Sequence, residues 1–160
     1  MTKEEVREVS ICKLHLTDGA VVYDIGSGTG SVAVEIAGLS ETVHVYAVER
    51  KPEAVELLRK NREQFHMDNI QIIEAPAPEG LEELPVPTHA FIGGSGGRLL
   101  DILQTLYRKN PHMRIVINAI SMETIAEFKE VLDTFPVEEE EILQMQVSRV
   151  KKLSLIHISE

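Results

Sequence analysis

Apolar and polar positions along the 160-residue chain alternate between two periods. In "KEEVREVSICKLHL" the residues Val6, Val9, Ile11 and Leu14 fall near helical spacing and predict a first helix, with Thr2 as its N-cap and Glu5 three residues on. "AVVYDIG" is a short apolar run with β-branched residues that ends at a glycine, the pattern of a buried strand. "SVAVEIAGL" has helical length and "VHVYAVER" predicts a second strand. "PEAVELLRKNREQF" is a helix with Pro52 in its first turn, where no backbone donor is lost. "IQIIEA" and "THAFIGG" predict strands three and four, and "GRLLDILQTLYRK" a helix with Leu99, Leu100, Ile102, Leu103 and Leu106 on its apolar side. "RIVINAI" predicts strand five, "METIAEFKEVLDTF" a helix and "EEILQMQVSRV" strand six. Strands separated by helical segments imply right-handed crossovers. The predicted fold class is therefore α/β, a doubly wound and mostly parallel sheet with helices on both faces, in a single domain.

Composition narrows the function classes. An apolar content of 43% with 26% charged residues is that of a globular protein. Cys12 is the only cysteine, so an intrachain disulfide and thiol-rich zinc patterns are excluded, and a reducing, cytoplasmic setting is expected. "MTKEEVREVS" is charged from its third residue and lacks the form of a signal peptide, and no apolar run approaches the length of a spanning helix. A net charge of −10 argues against nucleic acid as the main ligand, because phosphate contacts need clustered cations. "EEEE" at 138–141 reads as a solvated strand entrance, and the scattered histidines form no metal-ligand pair, so no metal is expected.

Candidate chemistry sits at strand ends. In doubly wound sheets, ligands bind beyond the carboxyl ends of the strands. After the first strand the chain reads Asp24-Ile25-Gly26-Ser27-Gly28-Thr29-Gly30, and the second strand ends at Glu49, placed to accept hydrogen bonds from a ribose diol. A dinucleotide and S-adenosylmethionine both suit this arrangement. The dinucleotide fingerprint GxGxxG would put its third glycine where Ser31 stands. The sequence DxGxGxG resembles instead motif I of class I methyltransferases, with Asp24 near the methionine end of the cofactor. After the fourth strand, Gly93, Gly94, Gly96 and Gly97 fall within five positions. One reading is a floor without side chains beneath a bulky ligand. The other is close helix–strand packing at Gly97, with the remaining glycines in a mobile loop.

"TKEEVR", "DIGSGTGSVAVEIA", "VYAVER", "APAPEGL", "FIGGSGG" and "INAI", in that order, resemble the CbiT-type precorrin methyltransferases over nearly the whole chain, from Thr2 to about Val150. The resemblance implies methyl transfer from S-adenosylmethionine to carbon 15 of cobalt-precorrin-6B, or its cobalt-free counterpart, with loss of carbon dioxide from the ring-C acetate. It places Thr2, Asp24, Gly26, Ser27, Gly28, Thr29, Gly30, Glu49 and Ala77 around the cofactor. For the substrate it offers the four glycines, Ser95 and Asn118, with Arg7, Arg98 and Arg149 as cations for its carboxylates. It also implies a homo-oligomer, a tetramer in the family, and a companion carbon-5 precorrin methyltransferase.

Other functions stay open on the sequence. One is a class I methyltransferase acting on a tRNA base or a protein, although no Asp, Asn or Ser followed by two prolines and an aromatic follows strand four. Another is a non-catalytic partner subunit. The methyltransferase domain is expected over residues 1–152. The tail Leu153–Glu160 resembles no part of the family's C-terminus and reads as truncated or foreign, with a seventh strand absent or imitated by Leu153–Ile158. The chain begins where the family's first helix begins, so residues covering the cofactor are expected to be missing.

Overall fold

Val21–Ile25 (β1) buries Val22, Tyr23 and Ile25 and forms the centre of the sheet. The computed structural model describes residues 2–150. On one side of β1 lie His44–Glu49 (β2) and then Ile70–Glu74 (β3). On the other lie His89–Ile92 (β4) and Arg114–Ile117 (β5), so the order is β3-β2-β1-β4-β5, all parallel. Register runs from Val21 opposite His44 to Ile25 opposite Val48, and from Val22 opposite His89 to Ile25 opposite Ile92.

Alternate residues of a strand face opposite sides, and here each side feeds its own core. Val22, Val45, Ala47, Ile70 and Phe91 pack with Leu14, Val32, Ala33, Ile36 and Leu58 from the helices Glu4–Leu14 (α1), Ser31–Ala37 (α2) and Pro52–Gln64 (α3). Tyr23, Ile25, Val48, Ala90 and Ile92 pack with Leu99, Ile102, Leu103, Leu106 and Val131 from Leu99–Lys109 (α4) and Met122–Thr134 (α5). The doubly wound architecture follows. Strand order reverses between β1 and β4, which makes the space beyond their carboxyl ends the switch point.

Two predicted features differ from the structure. The N-cap of α1 is Lys3, which makes no side-chain cap, and not Thr2. Thr2 lies one residue outside that position, its carbonyl accepting from Arg7 Nη1 at 3.4 Å, while Glu5 turns to Arg149 instead of closing a capping box. The predicted sixth strand does not form: residues 141–150 join no ladder. Leu143, Met145 and Val147 keep a period of two, but a ladder needs a neighbouring backbone about 4.8 Å away. Glu141 pairs instead with Lys13 at 2.7 Å, and Arg149 with Glu5 and Glu4, so the segment runs along α1. Between it and β5 lies a cleft of about 750 Å³ lined by Ser10, Ile117, Phe128 and Met145 among others. The acidic run at 138–141 is exposed, as a solvated segment, but leads into no strand. The tail Leu153–Glu160, with the predicted imitation of a seventh strand, lies outside the described residues. Among the described residues no helix is long and apolar enough to cross a membrane.

Candidate functional site

The loop after β1 is laced to β2, because the N–H groups of Gly26 and Ser27 both donate to the Val48 carbonyl, at 3.0 and 3.1 Å. Its three glycines all have positive φ, and their surroundings separate their roles. A Cβ on Gly26 would stand 2.6 Å from the carbonyl oxygen of Gly94, and one on Gly30 would stand 2.0 Å from Leu58 Cδ1 of α3. Gly28 has nothing within 4 Å of that position. Two of the glycines thus serve packing, and Gly28 presents an open backbone. Thr29 contributes its carbonyl to Asn61 Nδ2 at 2.8 Å, a tie to α3.

Two carboxylates flank this loop. Asp24, within β1, is 1% exposed. Ser27 Oγ donates to its Oδ2 at 2.6 Å, while Oδ1 is buried without a partner among the described residues. Burial raises its pKa to about 6; the Ser27 hydroxyl and the Ala33 N–H oppose the shift, and the charge of Glu49 adds to it. Glu49 ends β2, where its Oε2 accepts from Gly28 N–H at 2.8 Å and its Oε1 from the N–H groups of Arg50 and Lys51, both at 2.9 Å. An orphaned acceptor, an open glycine backbone and an acidic strand end suit a ligand carrying an ammonium group and a ribose, as S-adenosylmethionine does.

The loop after β4 meets the same place. Gly93 N–H donates to the Ile25 carbonyl at 2.9 Å, and Gly94 lies directly against Gly26. Gly96 and Gly97 have φ of 60° and 81°, which side chains rarely adopt. Nothing lies within 4 Å of a Cβ position on Gly97, so backbone conformation and not close helix–strand packing accounts for this glycine. The four glycines therefore include a backbone that Gly26 approaches closely, at Gly94, and a position, Gly96, whose Cβ site lies 3.1 Å from Arg50 Nη1.

The remaining predicted residues mostly have protein partners. Ser95 Oγ donates to Glu127 Oε2 at 3.2 Å, and the Leu99 N–H donates to the same oxygen at 3.3 Å. Glu127 of α5 therefore caps α4, a role the sequence does not announce because the donor and the acceptor lie on different helices. Its one trace is Arg98 at the N-cap of α4, a residue with no side-chain acceptor. Arg98 pairs with Glu79 at 2.7 Å and with Asp101 at 3.2 Å, Arg7 with Glu35, and Arg149 with Glu5. Asn118 follows β5, its N–H donating to Ile92 O at 3.0 Å and its Oδ1 accepting from Ser10 at 3.2 Å. Thr2 is half-buried and linked through Arg7 to Glu35 of α2. Ala77 packs against the core with Leu81 and Ile73, two residues before the Glu79 that binds Arg98.

A doubly wound parallel sheet with a glycine loop after β1 and an acidic end to β2 defines the class I methyltransferase fold, Rossmann-like in its order. A solved structure of precorrin-6y C5,15-methyltransferase from Geobacter metallireducens GS-15 superposes with a TM-score of 0.79 at 40% identity, covering 83% of this chain and 71% of that one. The chain belongs to the precorrin methyltransferase domain family, whose model matches residues 1–158. A probable cobalt-precorrin-6B C(15)-methyltransferase (decarboxylating) of Sulfurisphaera tokodaii is 47% identical over 128 residues, 78% of this chain. That match spans 66% of the Sulfurisphaera protein, just under two thirds of its length. A protein of the same description from Pyrobaculum calidifontis is 37% identical over 151 residues, covering 93% of this chain and 77% of that protein.

Proposed function

We propose that the chain methylates carbon 15 of cobalt-precorrin-6B or precorrin-6B, using S-adenosylmethionine, with decarboxylation of the ring-C acetate, in cobalamin biosynthesis. The observation that carries this is the meeting of Gly26 with Gly94, which brings the glycine loop flanked by Asp24 and Glu49 against the four-glycine loop. Asp24, Gly26, Ser27, Gly28, Thr29, Gly30 and Glu49 hold the cofactor, with Thr2 and Ala77 at its margins. Glu49 takes the ribose hydroxyls, exchanging its bond from the Gly28 N–H for bonds from the diol. The orphaned Oδ1 of Asp24 gives an acceptor to the ammonium end.

When bound, S-adenosylmethionine supplies an activated methyl group on a sulfonium. The chain's own work is alignment: the tetrapyrrole is an electron-rich carbon nucleophile, and Gly93 to Gly97 allow a flat macrocycle to approach closely. Methyl transfer itself demands no strong base. The carboxyl group of the ring-C acetate leaves as carbon dioxide, and the electrons of the broken carbon–carbon bond pass into the ring system made electron-poor by methylation. The methylene left behind takes up a proton to become a methyl group. On family resemblance alone, the same proposal includes a cytoplasmic homo-oligomer, a tetramer, with the carbon-5 precorrin methyltransferase as companion.

The test is turnover of cobalt-precorrin-6B with S-adenosylmethionine labelled in its methyl group. Label in the corrinoid together with released carbon dioxide is the expected result. Binding of S-adenosylhomocysteine with neither product would identify a non-catalytic partner subunit instead.

A further inference from the structure

The arginines of the described residues divide by partner. Arg7, Arg59, Arg98, Arg108 and Arg149 each meet a carboxylate, and Arg114 donates to the Lys13 carbonyl. Arg50 and Arg62 meet no carboxylate among the described residues. Arg62 belongs to the last turn of α3, beside Asp68 and Ile70 at the amino end of β3, away from the switch point. Arg50 stands at the other end of the sheet, directly after Glu49.

Its side chain crosses the site. A Cβ built on Gly96 would lie 3.1 Å from Arg50 Nη1 and 3.4 Å from its Cζ, so the guanidinium rests on the backbone of the four-glycine loop. β2 and β4 are not neighbours, because β1 lies between them. Arg50 therefore reaches from the end of β2 past the end of β1 to the loop after β4. Its base is fixed, since the N–H groups of Arg50 and Lys51 share Glu49 Oε1. The absence of a side chain at Gly96 leaves room for the guanidinium, a second demand on that residue beside its φ of 60°.

The charge balance points the same way. In a chain of net charge −10, a polycarboxylate substrate needs a cation whose charge is not already matched. Arg98 is matched twice, by Glu79 and Asp101, and Arg7 and Arg149 are matched as well. A substrate carboxylate at Arg98 must first displace a protein carboxylate; at Arg50 it displaces water. The guanidinium also offers two parallel N–H groups to a carboxylate, which an ammonium cannot.

We propose that Arg50 anchors a carboxylate of the substrate over the four-glycine loop, in preference to Arg98, Arg7 and Arg149. This rests on the polycarboxylated tetrapyrrole substrate proposed above. Because its partner is the substrate and not the cofactor, loss of Arg50 separates the two affinities.

The test uses the full chain with uroporphyrin, an octacarboxylate tetrapyrrole, titrated by fluorescence, and S-adenosylhomocysteine, titrated by calorimetry. Arg50→Ala is expected to weaken uroporphyrin about tenfold, the loss of one charge-assisted contact. Arg50→Lys should recover part of this, Arg98→Ala should change it by less than about threefold, and S-adenosylhomocysteine affinity should stay unchanged in Arg50→Ala. Wild-type protein that binds both ligands, with uroporphyrin affinity unaltered in Arg50→Ala, would overturn the assignment alone. A loss confined to S-adenosylhomocysteine would overturn it by moving Arg50 to the cofactor. Wild-type protein that binds S-adenosylhomocysteine but not uroporphyrin would overturn the substrate class and the assignment together.

Discussion

Gly26 and Gly28 share a backbone conformation but not an environment, and substitution should separate them. Alanine at either position meets the left-handed penalty of about 1–2 kcal/mol. At Gly26 it also drives a methyl group into the Gly94 backbone, a contact of 2.6 Å. In urea unfolding, Gly26→Ala should therefore lose about 2–4 kcal/mol, and Gly28→Ala only the smaller penalty, while both weaken S-adenosylhomocysteine. Asp24 makes a prediction in pH. Burial raises its pKa from 3.8 to about 6, so the folded protein holds this proton more tightly than the unfolded chain. That contribution is complete below the unfolded value and is lost as pH rises through the folded one. Asp24→Asn, neutral throughout, should gain on the wild type by about 2–3 kcal/mol between pH ~4 and pH ~7 in urea unfolding. The positions of Asp24, Gly26 and Glu49 at strand ends were legible because each closes or follows a short apolar run. Which glycine packs and which stays open was not, since Leu58 and Gly94 reach the loop from distant parts of the chain.

Among the elements, α4 starts without a cap of its own and borrows Glu127 from α5. Glu127→Ala should cost about 1 kcal/mol and speed hydrogen exchange at the Leu99 amide, and Glu127→Gln, which keeps an acceptor oxygen, should cost less. The ion pair of Lys13 with Glu141 is exposed, so Lys13→Ala should stay within about 1 kcal/mol of wild type in the same unfolding assay. Ten elements were legible from period and punctuation alone: four of the five strands end at glycine or at charge, and Pro52 opens α3 at its first position. The sixth strand was misread because alternation in "LQMQV" records only which side chains are apolar. A strand also needs an adjacent backbone, and that is a property of the sheet. The N-cap of α1 failed for a similar reason, because Glu5 had a competing partner in Arg149, far along the chain.

At the scale of the whole molecule, the five strands place two loops from distant parts of the chain in contact, and the switch point follows from strand order alone. The glycine-rich sequence after β4 answers two demands at once, space against Phe91 at Gly93 and against Arg50 at Gly96, and left-handed backbone at Gly96 and Gly97. The chain is acidic overall, and most arginines of the described residues are already paired with carboxylates. The central claim is that the Asp24–Gly30 loop and Glu49 form one S-adenosylmethionine site. It is tested most directly by calorimetric titration of the wild type and Glu49→Ala with S-adenosylhomocysteine, with NAD as a control. Micromolar binding of S-adenosylhomocysteine alone, weakened at least about tenfold in Glu49→Ala, is the expected result. Binding of NAD in its place, or an affinity for S-adenosylhomocysteine that Glu49→Ala leaves unaltered, would contradict it.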